Sequence, residues 1–209
     1  MFFDEAFIAA TARLESATAE VDAPLIPQAL MVPPHNEIGS YLPQEKVISA
    51  SLDGAVAILG VRAFRNGCLI ELNAALRTAS GLGASIAISP ERALEVAVQG
   101  DLSEVHPELL RVGIDGDSVR ATNLLNYGRL RHEGVLVPSD EPRLVGLSGT
   151  LGSIQDGVMQ FRQGYWLRVV PTGEFDLVTE WPAAGIDESR ARLSGNEIRA
   201  AGQRSKLLL

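Results

Sequence analysis

Apolar and polar residues alternate along residues 164–186, GYWLRVVPTGEFDLVTEWPAAGI, and this pattern predicts a β-hairpin. Residues 170–173 suit its turn, because proline fixes φ at the second position and glycine tolerates a left-handed conformation. Pairing outward from this turn gives one apolar face and one charged face. The apolar face carries Tyr165, Leu167, Val169, Phe175, Leu177 and Trp181. We expect Pro182 either to end the second strand or to mark a sheet edge, because it has no N–H to donate to the ladder.

The polar face of this hairpin contains one residue that does not suit it, Trp166. In the predicted register its face also carries Arg168, Asp176 and Glu180, with Arg168 directly opposite Asp176. An exposed tryptophan beside charges is suited to anchor a protein partner or a ring-shaped ligand. Alternatively the ring is covered by Val178, by the stem of Arg168 or by another segment. Trp166, Arg168, Asp176 and Glu180 are therefore the binding candidates.

A second hairpin is predicted around Asn66-Gly67, the dipeptide typical of a type I′ turn. One face then contains only apolar pairs: Ala63 with Ile70, Val61 with Leu72, Leu59 with Ala74 and Ala57 with Leu76. On the other face Arg62 opposes Glu71. Two hairpins with one apolar and one wet face each indicate sheets packed face to face. We therefore expect an all-β fold, a two-sheet antiparallel β-sandwich.

Residues 109–123 predict a third hairpin, for which two turns fit. A turn at residues 115–116 would oppose Arg111 with Arg120. A turn at residues 116–117 instead pairs apolar residues, Ile114 with Val119 and Val112 with Ala121. We favour the second turn, because it avoids opposing like charges.

The remaining strands are less clearly patterned. Residues 143–151 and 157–163 predict strands, and residues 84–88 a further short one. Residues 90–98 fit either a helix or a strand, and residues 124–142 predict a polar connection.

Short helices are expected near both ends of the sandwich. Residues 4–21 are rich in good helix formers and carry an apolar stripe at helical spacing: Phe3, Phe7, Ala10, Leu14, Ala17 and Val21. This stripe either docks on the sandwich, pairs with another subunit or stays loose. Near the other end, we expect Asn196 to cap a helix, followed by an apolar tail that adds an edge strand.

The chain thus divides into three predicted parts. Residues 1–22 form the N-terminal helix, and residues 45–209 form the sandwich. Between them, residues 23–44 contain five prolines and predict an extended, wrapping segment rather than regular structure.

Charge and composition narrow the classes of partner. The formal net charge is −8, and only two of the 18 basic residues are lysines. Nucleic acid and anionic membranes are therefore not expected as partners. No segment approaches the ~20 apolar residues of a membrane span, and the N-terminus carries acids where a signal peptide needs positive charge. The single cysteine, Cys68, fits a small buried hydrophobe in a reducing compartment, so we expect a cytoplasmic protein.

The motifs of known chemistry are incomplete. Residues 146–153 are glycine-rich but lack the Lys-Ser/Thr of a P-loop and the spacing of a nucleophile elbow, so a bulged strand or loop is favoured. His35, His106 and His132 are widely separated, without metal-ligand spacing. Asp115-Gly116-Asp117 matches only a fragment of a calcium loop. We therefore expect no catalytic residue, no metal site and no cofactor.

One sequence block is distinctive, the EWPAAGI of residues 180–186. It occurs with further characteristic residues: 33–38, 56–64, Gly67, 110–113, 120–123, Trp166, Pro171 and Gly173. Together they resemble an uncharacterised family of actinobacterial proteins of unknown function, from about residue 30 to the end. The chain departs from that family at residues 169–173, where the family is richer in proline. The resemblance implies an intracellular bacterial protein with a β-rich fold, and it carries over no catalytic residue.

These observations favour a non-catalytic interaction or scaffold protein that self-associates as a homo-oligomer or binds a protein partner. The N-terminal stripe, Trp166 on a polar face and the apolar C-terminal tail motivate this hypothesis. The alternative is a small-molecule or carbohydrate-binding module, with Trp166, Asp176 and Glu180 as its platform. An enzyme is the third hypothesis, and it requires distant His, Asp or Glu residues to converge in a pocket.

Overall fold

Every strand pairing in the part of the chain that the computed structural model describes is antiparallel. That part comprises residues 1–6, 8–9, 12, 31–77, 110–117, 119–124, 143–147 and 150–208. The predictions for residues 13–30, 84–98 and 125–142, and for His106, lie outside it.

The strands assemble into two large sheets and one small one. In chain order they are β1 (Glu37–Ile38), β2 (Ser40–Ala50), β3 (Gly54–Phe64), β4 (Gly67–Arg77), β5 (Arg111–Gly116), β6 (Val119–Thr122), β7 (Leu144–Gly146), β8 (Thr150–Gln155), β9 (Val158–Leu167), β10 (Glu174–Trp181), β11 (Ile186–Ser194) and β12 (Lys206–Leu207). The larger sheet has the order β2-β3-β4-β9-β7, and β8 also pairs with β9. The four-stranded sheet has the order β11-β10-β5-β6, and β1 pairs with β12.

The two large sheets bury a shared apolar core, which confirms the predicted sandwich. Its members include Val61, Ile70, Leu72 and Leu167 from the larger sheet and Val112, Ile114, Phe175 and Leu177 from the four-stranded one. Each fully buried side chain of this kind contributes about 1.5–3 kcal/mol relative to an exposed one. Helix α1 (Gly195–Gly202) packs against both sheets, with Ile198 and Ala201 in the same core.

The predicted hairpin at residues 164–186 is wrong in its pairing. Strand β9 pairs with β4, β7 and β8, whereas β10 pairs with β5 and β11 in the other sheet. Residues 168–173 therefore cross between the sheets instead of forming a turn within one. The apolar face was predicted correctly for Tyr165, Leu167, Phe175, Leu177 and Trp181, because strands facing each other across a core show the same alternation as paired strands. Val169 is 39% exposed, and β10 ends before Pro182 as predicted.

The other two hairpins exist, each with a turn one residue away from the predicted one. Phe64 pairs with Gly67, so the first loop is residues 65–66, and Gly116 pairs with Val119 in the second. Moving a two-residue loop by one position changes the register by two, which leaves every side chain on its predicted face. A register shift between Ile58 and Gly60 then moves Ala57 and Leu59 off the core face predicted for them.

The outer segments correct several boundaries. Strand β1 begins at Glu37, inside the proline-rich segment predicted to be irregular, and Pro43 lies at a register shift of the edge strand β2. Helix α1 is capped by Ser194, whose Oγ accepts a hydrogen bond from the backbone N–H of Glu197, not by Asn196. The predicted bulge in the glycine-rich segment is present, as a register shift between Leu151 and Ile154. The apolar tail adds strand β12, as predicted.

Candidate interaction surface

The outward face of the four-stranded sheet carries an ordered array of charges. Its antiparallel register aligns one row across β11, β10, β5 and β6: Arg192, Asp176, Asp115 and Arg120. The neighbouring row consists of Arg190, Val178, Gly113 and Thr122. Opposite charges thus surround a central position, formed by Val178 and Gly113, that carries no charge. We call this surface the charged face.

Arg190 connects the acidic residues of the charged face. Its Nη1 lies 2.8 Å from Asp115 Oδ2 and 3.6 Å from Asp176 Oδ2. Its Nη2 lies 2.9 Å from Glu188 Oε1. The hydrogen bonds to Asp115 and Glu188 outweigh the effect of burial, so the pKa of Arg190 is raised. Arg190 is therefore held as a fixed cation beside the central uncharged position.

The same acidic residues also bind the outer arginines. Arg120 Nε lies 3.2 Å from Asp115 Oδ1, and Arg192 Nε lies 3.2 Å from Asp176 Oδ1. Burial alone would raise the pKa of Asp115, but hydrogen bonds and charge from Arg190 and Arg120 prevail and lower it. Exposed ion pairs contribute only about 0–1 kcal/mol each, so the array matters mainly because it fixes the arginines in position.

The ring of Phe2 occupies the uncharged centre of the charged face. It is 3% exposed and packs with Val178, which is fully buried. Gly113 is required beneath it, because a Cβ at that position would collide with the ring. The guanidinium carbons of Arg120 and Arg190 lie 5.1 and 5.9 Å from the ring centroid, within the range of cation–π attraction.

Further contacts hold the short segment that carries Phe2. Residues 2–6 are helical, and Phe3 and Ala6 are buried in the same cluster. The backbone N–H of Phe2 donates to Glu188 Oε2 at 2.9 Å. Glu5 Oε2 lies 3.4 Å from Arg120 Nη1. Of the three arrangements predicted for the N-terminal stripe, these residues show the first: they dock on the chain's own sandwich.

The carboxylate of Glu188 serves both the segment and the array. Burial alone would raise its pKa, but the hydrogen bond from the Phe2 backbone and the hydrogen bond and charge of Arg190 prevail and lower it. One Glu188 oxygen thus binds the segment while the other binds Arg190.

The predicted platform of Trp166 with Asp176 and Glu180 is wrong. Trp166 belongs to the other sheet and is 1% exposed, with its ring edge-to-face against Phe64 at 5.6 Å. Asp176 is part of the charged face. Glu180 lies at its margin, in a mostly buried ion pair with Arg111 at 2.6 Å. The half-buried Arg168 lies in the crossing segment and does not oppose Asp176.

Sequence reasoning assigned neither Arg190 nor Glu188 to a binding site. It grouped Asp187 and Glu188 with Arg190 and Arg192 as a surface charge cluster of little energetic weight. The alternation of residues 186–194, IDESRARLS, places Arg190 and Glu188 on one strand face. Phe2 and Gly113 carry no local signal, because their contact joins positions far apart in the chain.

No protein-family model, curated protein or solved structure matches this chain. The resemblance to an actinobacterial family therefore stays a prediction. Function must be inferred from the chemistry of the charged face.

The described residues allow three further statements about chemistry. Cys68 is fully buried, which raises its thiol pKa to about 12 and confirms it as a buried hydrophobe. Within those ranges, no three His, Cys, Asp or Glu side chains are grouped as metal ligands. In the same part of the chain, no helix has the length and apolar character needed to cross a bilayer.

Proposed function

We propose that this protein is a non-catalytic interaction or scaffold protein that self-associates, and that the charged face is its working surface. The observation that supports this most is the docked segment of residues 2–6. It is held as a ligand is held, by an anchoring ring, a backbone hydrogen bond and peripheral charges. Its cluster is separate from the core between the sheets.

The contacts of Phe2 are of the kind that dominates protein interfaces. Anchors at interfaces are typically aromatic residues or arginines in well-packed, desolvated positions. Burying an aromatic ring contributes about 1.5–3 kcal/mol, and each cation–π contact at an exposed site adds about 0.5–1 kcal/mol. A surface with this arrangement is suited to recognising a phenylalanine within a peptide.

Exposed apolar residues elsewhere also support an interaction role. Ile38, Leu207 and Leu208 are each about half exposed on or beside the two-stranded sheet of β1 and β12. Exposed apolar groups of this kind mark interaction sites when they are clustered. The carbohydrate-binding alternative needs an exposed aromatic ring, and Trp166, the ring predicted for that role, is buried.

The proposal extends to the setting of the protein. We propose a cytoplasmic location and protein partners instead of nucleic acid. The net charge of −8 and the use of a single, buried cysteine, Cys68, support this.

Size-exclusion chromatography with light scattering tests self-association directly. We expect the mass of the full chain to rise above that of a monomer as its concentration increases. A strict monomer at the highest concentration reached would contradict the proposal.

A further inference from the structure

We infer that the charged face binds residues 2–6 of a second copy, so that two copies exchange their N-terminal segments. This inference rests on the proposed function and names the partner of its surface. The inference rests on the contacts of the segment. They join residues of the segment to residues of the charged face, and they involve no other part of the copy to which the segment belongs.

The connection between the segment and the sandwich does not determine whether the segment docks on the charged face of its own copy or of another. Residues 13–30 separate the helical residue 12 from residue 31 of the described sandwich. At up to roughly 3.6 Å per residue, a chain of this length spans at most about 65 Å. The covalent length of the connection therefore does not by itself restrict the segment to its own copy.

Exchange between two copies preserves every contact and closes symmetrically. Each copy gives one segment and receives one, so both charged faces are filled and the assembly ends at a dimer. The Phe2 ring meets the same Gly113, Arg120 and Arg190 in either arrangement.

The docked segment also retains apolar residues that its own copy does not cover. Met1 is 75% exposed and Ile8 is 67% exposed. Because it is tethered, the segment is present at an effective concentration of about 1 mM at the charged face of its own copy. Without any added contact, docking on a second copy would compete equally only when the protein concentration is near that value. Burial of Met1 and Ile8 against the second copy would lower the concentration required.

Two complementary variants of the full chain separate the segment from the face. Phe2→Ala combined with Phe3→Ala removes the anchors and leaves the charged face intact. Gly113→Val blocks the face, because its side chain takes the place of the ring, and leaves the segment intact. Circular dichroism and thermal unfolding establish that both variants fold.

We expect each variant alone to be monomeric and their equimolar mixture to form a heterodimer. In the mixture, the free segment of the Gly113→Val chain has an empty face available on the other chain. The double alanine variant should raise the dimer dissociation constant of the full chain by at least about 30-fold, as for an interface anchor. Val47→Ala, which truncates an exposed residue of β2, should leave that constant unchanged.

A mixture that stays monomeric while the unmodified chain dimerises would overturn segment exchange. The proposed self-association would then occur through another surface. If the unmodified chain and the mixture are both monomeric at every concentration, the proposed function fails as well.

Discussion

At the scale of single residues, Phe2 shows how a contact distant in sequence organises a surface. The ring covers Gly113, packs on Val178 and lies between two guanidinium groups. Nothing around position 2 in the sequence predicts this contact. The space for the ring depends on a glycine on β5, and the cations come from β6 and β11. Sequence reasoning named Asp176 and Glu180 as binding candidates, and it grouped Glu188 with Arg190 and Arg192 only as a surface charge cluster.

Replacing Phe2 should reveal how much this contact contributes. We expect Phe2→Ala to lower the free energy of unfolding by about 1–3 kcal/mol, since it removes a buried ring and its cation–π contacts. Ile8→Ala on the same segment should change it by less than about 0.5 kcal/mol, because Ile8 is largely exposed. Urea unfolding measures both, and equal losses would argue against a docked Phe2.

The carboxylates of the charged face predict a dependence on pH. Folding lowers the pKa of Asp115 and of Glu188, so both stabilise the folded state at pH values above the usual carboxyl pKa of about 4. That contribution is lost as the pH falls through the lowered values.

We therefore expect the free energy of unfolding to be flat near neutral pH and to fall below about pH 4.5. Glu188→Gln should lower stability at pH 7 and make the acid-side fall shallower. Denaturation by urea at a series of pH values gives both curves. Curves of the two proteins that stay parallel through the acid range would exclude a role for Glu188 in this dependence.

At the scale of secondary-structure elements, alternation predicted the core face of most strands, but neither which strand is the neighbour nor what covers the opposite face. Trp166 is the clearest case. Its ring lies over Gly67 of β4, where a Cβ would come within 2.8 Å of the ring. That placement depends on a glycine about a hundred residues earlier, and a local pattern cannot supply it.

The edge strand β2 shows why a charged face is the better candidate for association. Pro43 removes a backbone donor, Glu45 has a φ of 43°, and the register shifts twice along the strand. These features interrupt continuous pairing with another strand, as protected edges commonly do. Association through side chains of another surface is therefore favoured over extension of the larger sheet.

The capping of α1 offers a test at this scale. Ser194→Ala should lower the free energy of unfolding by about 0.5–2 kcal/mol, because it removes the acceptor for the N–H of Glu197. Asn196→Ala removes a contact with Arg199 and a long one with the N–H of Gly173, so its cost should be smaller. Thermal or urea unfolding distinguishes them, and the reverse order would favour Asn196 as the cap.

At the scale of the whole molecule, the sandwich was predictable because every strong strand pattern had one apolar face. Two sheets packed face to face are the simplest way to bury such faces together. The division of strands between the sheets was not predictable, because β9 and β10 satisfy the same pattern whether they pair or face each other. The crossing at residues 168–173 is fixed instead by distant contacts, such as the N–H of Gly195 donating to the carbonyl of Gly173.

The central claim is that the charged face recognises the segment carrying Phe2. A labelled peptide of residues 1–9, titrated into the full-length Phe2→Ala, Phe3→Ala chain and followed by fluorescence anisotropy, tests it most directly. We predict saturable binding that weakens at least tenfold when Gly113→Val is added to that chain. Equal binding to both chains, or no binding to either, would contradict the claim.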